Sequence, residues 1–238
     1  DESGGVEVLP LAEEHRVLEC LPYDYDEDAT CPIWDRILLD VFAPDDDGAD
    51  KALLMQQFLG SCLLAIATQW QRCLVLEGAS GDNGKSTLIT IAQQLFPESM
   101  RRSIPPQKWD SEYYVAKLAG CRPVAGHVFA CNELPGTTDQ TDAYWKRFLP
   151  LTFNRRFVAS EQDQTIAERV IRDEMPGIAA WAVRGARAAL AGGGLILPAS
   201  VTRRKAEWRR QSDQVALFAD ERLELGGDRG TPSAQVFA

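Results

Sequence analysis

One stretch of the chain carries the residue types that bind phosphate groups. It reads Glu77-Gly78-Ala79-Ser80-Gly81-Asp82-Asn83-Gly84-Lys85-Ser86-Thr87. Gly81 and Gly84 let successive backbone N–H groups turn toward a phosphate, and the helix that begins at Lys85 adds positive potential at its N-terminus. The Lys85 ammonium can reach the β and γ phosphates, and the Ser86 hydroxyl can ligate Mg²⁺. The sequence therefore predicts a site for ATP and Mg²⁺, with the binding residues Gly81, Asp82, Asn83, Gly84, Lys85, Ser86 and Thr87.

The elements on either side of this stretch support the prediction. Residues 73–76 are a short apolar run that is typical of a buried strand, and residues 85–95 have the apolar spacing of a helix. A loop between a strand and a helix is the context that phosphate binding requires. Ala79 stands where the first glycine of the usual pattern is expected, and Gly78 comes one residue early. The Gly-Lys-Ser-Thr core is complete, which argues against a chance glycine loop.

Hydrolysis of ATP also needs a group that orients water and a positive charge that stabilises the transition state. A second predicted strand, residues 124–131, ends at Asn132-Glu133. A third, residues 149–153, follows Trp145-Lys146-Arg147-Phe148 and precedes Arg155-Arg156. These polar residues at strand ends are the candidates for the remaining chemistry.

With these parts the chain resembles the superfamily 3 AAA+ helicases, and within them the helicase domain of phage and plasmid primase-helicases. The resemblance runs from about Leu21 to Phe218. It is carried by the Tyr-Asp-Tyr-Asp and Cys-Pro-Ile-Trp lead-in, the Asn-Gly-Lys-Ser-Thr loop, Lys117-Leu118-Ala119-Gly120, Asn132-Glu133-Leu134-Pro135, Trp145-Lys146-Arg147-Phe148, and Met175-Pro176-Gly177-Ile178 before Trp181. Many ATPases share the phosphate loop, whereas its combination with Asn-x-x-Pro and Trp-x-Arg is more specific.

The resemblance implies roles for individual residues. Asn132 would be the sensor that orients the attacking water, and Arg147 would be an arginine finger for the ATP of the next subunit in a hexameric ring. With Lys85, these two residues form the implied catalytic set. Arg147 could instead be a surface arginine beside an anchoring tryptophan. Arg155 and Arg156 are then second choices for the finger, or contacts to a phosphate backbone.

The Walker B carboxylates of this family and its DNA-gripping β-hairpin have no counterpart in the sequence. Asn132 follows Lys85 by only 47 positions, and no apolar strand ending in paired acids lies between them. We expect a few tens of residues to be absent near residues 120–122. A wide gap between consecutive Cα atoms, which are otherwise about 3.8 Å apart, would support this expectation. If none are absent, Glu133 is the best remaining catalytic carboxylate, or the ATPase is degenerate.

Charge is distributed unevenly along the chain. The formal net charge is −10, but residues 1–50 hold 16 acids and two arginines, while the other 188 residues hold 19 acids and 23 bases. The acidic balance therefore belongs to the first segment and does not argue against nucleic acid near the rest. Residues 203–205 and 209–210 are basic and could line a nucleic-acid path, although such a face is more often simply solvated.

Composition excludes several classes of protein. Apolar residues make up 45% of the chain, so wholesale disorder is excluded. The longest apolar run, residues 58–67, is far shorter than the roughly 20 residues of a membrane helix, and the first residues do not predict a basic-then-apolar leader. Six cysteines without a C-x-x-C pair and only two histidines favour reduced thiols in a cytosolic-type compartment. Because the chain starts at Asp1, we expect a piece of a longer soluble protein. The resemblance implies a primase upstream and the cytoplasm of a bacterial host cell as the location.

The predicted fold class is α/β: a P-loop AAA+ ATPase core with a mainly parallel sheet, flanked by N-terminal and C-terminal helical segments. The predicted divisions are an acidic and helical lead-in at 1–70, the ATPase core at 71–160 and a helical lid at 161–238. Helices are predicted at 33–42, 51–69 with Asp50 as its cap, 85–95, 112–119, 176–190 and 200–225.

The predicted function is that of an ATP-dependent DNA helicase or translocase of phage or plasmid replication. It would act as a homo-oligomeric ring on single-stranded or forked DNA, with ATP hydrolysed at subunit interfaces. Two alternatives remain. A P-loop NTPase or phosphotransferase that is not coupled to DNA would be monomeric, with a lid arginine acting within the subunit. A nucleotide-dependent assembly module would bind ATP without hydrolysing it.

Overall fold

The computed structural model describes residues 20–103, 126–213, 215, 217 and 218. Within these residues the chain is an α/β structure with a small parallel sheet and flanking helices. The strands are β1 (Cys73–Glu77), β2 (Val128–Cys131) and β3 (Phe148–Thr152). The helices are α1 (Pro32–Phe42), α2 (Gly48–Leu63), α3 (Lys85–Gln93), α4 (Asp142–Arg147), α5 (Ile166–Asp173), α6 (Met175–Ala191) and α7 (Ala199–Ser212).

The order of the strands in the sheet is β2-β1-β3, and both pairings are parallel. Glu77, the last residue of β1, pairs in register with Cys131 on one side and with Thr152 on the other. The carboxyl ends of the three strands therefore meet at one edge of the sheet, called here the carboxyl edge. The segments that follow β1, β2 and β3 are brought together at this edge.

Helices cover both faces of the sheet. Successive side chains of a strand point to opposite sides, so each strand contacts helices on both faces. Leu74 and Leu76 of β1 lie in the main core with residues of α1, α2, α3 and α6. Glu77 points to the other face, where its carboxylate meets Arg204 of α7. The predicted α/β class is confirmed to this extent.

Helices α2 and α6 pack closely because glycines lie where the two backbones meet. A Cβ atom on Gly60 would overlap the carbonyl oxygen of Ala182, and a Cβ on Gly185 would lie 2.5 Å from the backbone of Gln56. The Gln56 amide also donates a 2.8 Å hydrogen bond to the carbonyl of Trp181. This contact holds α6 against the helix that precedes β1.

Two buried polar side chains connect distant parts of the chain. Glu174 accepts hydrogen bonds of 2.9 Å from the backbone N–H groups of Ile33 and Trp34, which satisfies two donors in the first turn of α1. Lys51 of α2 is fully buried, and its ammonium donates to the carbonyl and hydroxyl oxygens of Thr152 at 3.0 and 2.8 Å. Because an unpaired buried charge is costly, these partners fix α2 against the end of β3.

The predicted helix 51–69 is wrong at both ends. Helix α2 begins at Gly48 and stops at Leu63, and a separate 3₁₀ turn covers Ala67–Trp70. Ala65 has φ +57°, which breaks the helix without any glycine or proline to signal it. Asp47, not Asp50, precedes the first residue, and its carboxylate accepts a 2.7 Å hydrogen bond from the backbone of Ser200.

The other elements agree with the sequence in varying degree. Helices α1 and α6 and strands β1 and β3 lie within one or two residues of their predicted bounds. Helix α7 ends at Ser212, and residues 215, 217 and 218 are helical again after Asp213, while the rest of the predicted extension to residue 225 lies outside the described residues. The short helices α4 and α5 were not predicted. The loop at 104–106, the helix at 112–119, the start of the second strand at 124, and the expected gap near 120–122 lie outside the described residues.

The described cysteines are free thiols, and the described helices do not meet the requirements of a membrane span. Cys20, Cys31, Cys62, Cys73 and Cys131 are not joined in disulfides. Burial raises the pKa of the Cys62 thiol to about 12, so this thiol stays protonated at neutral pH. Within residues 20–103 and 126–213, none of the helices combines the length and the apolar character that a bilayer span requires.

The close approach of α2 and α6 predicts that Gly60→Ala destabilises the protein. The added methyl group overlaps a backbone carbonyl, and such overpacking costs about 1–3 kcal/mol. Helix propensity alone would favour alanine by about 1 kcal/mol, so the sign of the effect is informative. Urea denaturation measures it, with Gly194→Ala as the control because nothing lies within 4 Å of that added Cβ. Equal or higher stability of Gly60→Ala would contradict the packing.

Candidate nucleotide-binding site

A cleft of about 410 Å³ lies at the carboxyl edge, beside the loop that joins β1 to α3. This loop, Gly78–Gly84, is called here the phosphate loop. Its second half and the first turn of α3 form one wall of the cleft. Asn132, which follows β2, lies in the lining as well. The remaining lining residues are Ile37, Asp40, Val41, Phe157, Glu161, Gln162, Asp163, Gln164, Ile166 and Ala167.

Side-chain and backbone contacts give the phosphate loop its shape. Gly84 has φ +84° and Asp82 has φ +58°, a region that glycine enters without strain and aspartate tolerates. The side-chain amide of Asn83, which is 3% exposed, donates to the carbonyl of Ser80 at 2.7 Å. Its oxygen accepts from the backbone N–H of Lys85 at 3.3 Å. Asn83 therefore fastens the loop to itself just before α3 begins.

Lys85 is buried at the base of the loop, where its ammonium donates a 2.7 Å hydrogen bond to the carbonyl of Gly78. Burial lowers the pKa of this lysine, while the negative charges of Cys131 and Glu77, when ionised, act in the opposite direction. One backbone carbonyl is a weak partner for an ammonium that can make three hydrogen bonds. The ammonium is therefore suited to take up anionic oxygens.

Ser86 and Thr87 occupy the first turn of α3 and line the cleft, with Ser86 exposed to it. Backbone N–H groups in this turn lack partners within the helix, which favours an anion here. In the described part of the chain, no three His, Cys, Asp or Glu side chains are grouped so that they could hold a metal ion. A Mg²⁺ ion here would rest on the Ser86 hydroxyl, phosphate oxygens and water, a set that this ion accepts.

The rest of the lining mixes apolar side chains with the polar or acidic residues Asp40, Glu161, Gln162, Asp163 and Gln164. Ile37 and Val41 come from α1, while Phe157 and Ile166 come from the segment after β3. The backbone N–H of Phe157 donates a 2.8 Å hydrogen bond to the carbonyl of Asp82, so this segment is tied to the phosphate loop. Val41 and Phe157 also lie beside Gly84, so apolar side chains pack directly against the phosphate loop.

The predicted residues divide according to the strand that they follow. Asn132 reaches the cleft because β2 is adjacent to β1. Glu133, the alternative carboxylate, is exposed and is not among the lining residues. Arg155 is paired with Glu161 at 2.8 Å and stacks on the ring of Phe157, which leaves it beside the cleft.

Arg147 lies at the opposite end of β3 from the phosphate loop. It is the last residue of α4, directly before the first residue of β3, and it is exposed. Five strand residues separate it from the carboxyl edge, a span of roughly 15 Å. The Arg147 side chain is therefore remote from the phosphate loop of its own chain.

The sequence did not reveal Glu77 as a residue of interest. This carboxylate ends β1, is 9% exposed, and forms a bidentate pair with Arg204 of α7 at 2.6 and 2.7 Å. The one signal available was an acid closing an otherwise apolar strand directly before a glycine loop. Its partner is 127 residues away, so the pairing had no local signature.

The loop geometry predicts opposite effects of two single-charge changes. Asp82→Asn removes an exposed negative charge at the rim and keeps a residue that tolerates positive φ, so ADP affinity should rise. Asn83→Asp adds a charge and removes the donor to Ser80, so ADP affinity should fall, by about tenfold or more. Titration calorimetry with each variant measures both. Equal affinities for the two variants would contradict phosphate binding by this loop.

Comparisons with known proteins give structural neighbours only. No protein-family model and no curated protein matches the chain. The apo structure of the NrS-1 C-terminal region matches with a TM-score of 0.49 and 12% identity, over 81% of this chain and 56% of that one. The A form apo structure of the same region matches with a TM-score of 0.49 and 12% identity, over 84% of this chain and 58% of that one. The chain thus spans little more than half of these structures, and the values are too low to support a functional conclusion.

Proposed function

We propose that the chain is the ATP-hydrolysing module of a DNA helicase or translocase of phage or plasmid replication. The observation that carries the nucleotide part is the buried ammonium of Lys85, held by one carbonyl at the base of a glycine loop. The DNA part rests on the sequence resemblance described above. A P-loop AAA+ core is the fold that this proposal assigns to the region around the sheet.

The cleft lining offers groups for the phosphates and for the base of a nucleotide. Phosphate oxygens would accept hydrogen bonds from the backbone N–H groups of the loop and from the Lys85 ammonium. The ammonium would then give up its hydrogen bond to the Gly78 carbonyl. The Ser86 hydroxyl would hold Mg²⁺ between β and γ oxygens. The apolar side chains of the lining, among them Ile37 and Ile166, would contact the flat face of the base.

Hydrolysis would use groups at the carboxyl edge. Asn132 would orient the attacking water from the end of β2, beside the phosphates. Glu133 is a poor candidate for a catalytic carboxylate because it lies outside the cleft lining. Glu77 is the nearer carboxylate, but Arg204 holds it on the other face of the sheet.

A ring would explain the position of Arg147. The residue is exposed and roughly 15 Å from the phosphate loop along β3, so it would serve the nucleotide of another subunit and not its own. A heterologous contact that closes on itself makes a ring, and every subunit then supplies one arginine and receives another. Arginine fingers supplied by a second chain are an established device for stabilising transition-state charge.

The basic face of α7 contributes less to DNA binding than its sequence indicates. Arg204 pairs with Glu77, and Arg209 pairs with Asp142 at 2.8 Å, so two of its cations are engaged within the chain. Arg203 and Arg210 are exposed. A DNA path, if it involves α7, would use these two.

One alternative has a specific observation in its favour. The acids among the described lining residues are Asp40, Asp82, Glu161 and Asp163, and none of them belongs to a strand of the sheet, where a helicase would place its carboxylates for Mg²⁺ and water. A module that binds nucleotide and assembles without hydrolysis would need no such group. A phosphotransferase would act as a monomer that is indifferent to DNA.

Steady-state ATP hydrolysis with and without single-stranded DNA tests the proposal. We expect the rate of ATP hydrolysis to rise with DNA. We expect it to fall about 100-fold or more in Lys85→Ala, because this variant removes the ammonium that would contact the phosphates. Arg172→Ala is the control, since this arginine is exposed and pairs only with its neighbour Asp173. Turnover that ignores DNA would indicate the phosphotransferase, and binding without turnover would indicate the assembly module.

Mixing two inactive variants extends the same experiment to the ring. Lys85→Ala subunits keep Arg147, and Arg147→Ala subunits keep an intact phosphate loop. If Arg147 acts between subunits, the mixture recovers hydrolysis at interfaces that combine the two intact halves. If Arg147 acts within its own chain or not at all, the mixture shows only the sum of the separate activities.

A further inference from the structure

Helix α7 is joined to the strand that carries the phosphate loop by one ion pair. Arg204 donates from Nη2 and Nε to the two carboxylate oxygens of Glu77, at 2.6 and 2.7 Å. The side chains are 20% and 12% exposed. A bidentate pair in this geometry fixes direction as well as distance. Removing Arg204 would leave the Glu77 carboxylate poorly solvated, whereas removing Glu77 would leave Arg204 with Glu207, which lies 3.3 Å away on the same helix.

Glu77 transmits its position directly to the phosphate loop. Its carbonyl accepts a 2.7 Å hydrogen bond from the N–H of Phe153, which fixes the backbone on the β3 side. The next residue, Gly78, donates its N–H to the carbonyl of Cys131 and offers its own carbonyl to the Lys85 ammonium. A tilt of the peptide after Glu77 would therefore move the oxygen that positions Lys85.

The other half of α7 is fixed to the segment that follows the site strand β2. The indole of Trp208 donates a 2.8 Å hydrogen bond to the carbonyl of Pro135, and its ring meets that of Trp145 edge to face at 5.1 Å. Arg209 donates to the carboxylate of Asp142 and to the carbonyl of Gln140. Trp145 and Asp142 belong to α4, the helix that ends at Arg147.

Four residues of one helix separate the two attachments, a rise of about 6 Å. A rigid helix over this distance cannot shift at one attachment without shifting at the other. Helix α7 thus connects the phosphate loop at the carboxyl edge with the helix that carries Arg147 at the opposite edge. No other described helix has hydrogen-bonded contacts from its side chains to both Glu77 and α4.

We propose that α7 is a positioning element of the nucleotide site, in which Arg204 orients Glu77 and the phosphate loop while Trp208 and Arg209 hold α4. Arg204 is a positioning residue that acts through Glu77 and does not touch the nucleotide. The proposal rests on the proposed function, since it concerns nucleotide binding by the same loop. It adds a connection between that loop and α4 within one subunit.

Two variants separate this role from direct contact with phosphate. In Arg204→Gln the guanidinium is lost, and in Glu77→Gln the arginine is released beside a loop that has lost a negative charge. Positioning predicts weaker ADP binding in both variants, by about 2- to 30-fold. Direct contact by Arg204 predicts that Glu77→Gln binds ADP more tightly than the wild type, because a cation is freed and a repulsion is removed.

Titration calorimetry with ADP and steady-state kinetics with ATP are the measurements, with thermal unfolding recorded for every variant. Weaker binding and a higher KM in both variants support the proposal. Unchanged ADP affinity with a lower Tm overturns it, because the pair then only stabilises the fold. Tighter binding by Glu77→Gln overturns it as well. If Arg204→Gln does not fold, Arg204→Lys, which keeps the charge and loses the bidentate fork, is judged by the same criteria.

The control is Arg172→Gln, which breaks an equally short ion pair with Asp173 on the exposed side of α5. It should leave ADP affinity within twofold of the wild type, as an exposed pair contributes about 0–1 kcal/mol. A wild-type chain that binds no ADP refutes the proposed function and this inference together. If the wild-type chain and Arg204→Gln bind ADP with the same affinity, this inference alone is refuted.

Discussion

The parallel pairing of β1 with a strand on each side decides where the chemistry of this chain lies. Parallel strands end at the same edge, so the residues after β1, β2 and β3 meet without any further device. The phosphate loop, Asn132 and the segment around Phe157 come together there. The buried ion contacts of Lys51 and Glu174 hold α2 and α1 against this arrangement. Packing of the core and placement of the site are consequences of one topology.

Local signals were sufficient for the parts of the site that are local. The phosphate loop, its strand and its helix follow from glycine spacing and apolar runs, and a parallel sheet follows from the strand–helix order. Asn132 reaches the cleft because its strand neighbours β1, which spacing alone does not determine. Glu77 was missed because its partner, Arg204, is remote in sequence. The break after Leu63 was missed because the apolar residues continue through it.

The basic residues of α7 have a different role from the one that their sequence suggests. Five cations in eight residues suggest a surface for nucleic acid. In the structure, Arg204 pairs with the buried Glu77, Arg209 pairs with the exposed Asp142, and Trp208 packs on Trp145. Helix α7 thus connects β1, which leads into the phosphate loop, with α4. The charge pattern of a helix indicates its partners only when the positions of the opposite charges in the fold are known as well.

The central claim is that the phosphate loop binds a nucleoside triphosphate through Lys85. Titration calorimetry with a slowly hydrolysed ATP analogue and Mg²⁺ tests this claim without depending on DNA, ring assembly or turnover. The account predicts saturable binding with one nucleotide per chain, and affinity at least about 100-fold weaker in Lys85→Ala, since the variant leaves phosphate charge unpaired in a buried site. No binding by the wild-type chain, or equal binding by the variant, would contradict it.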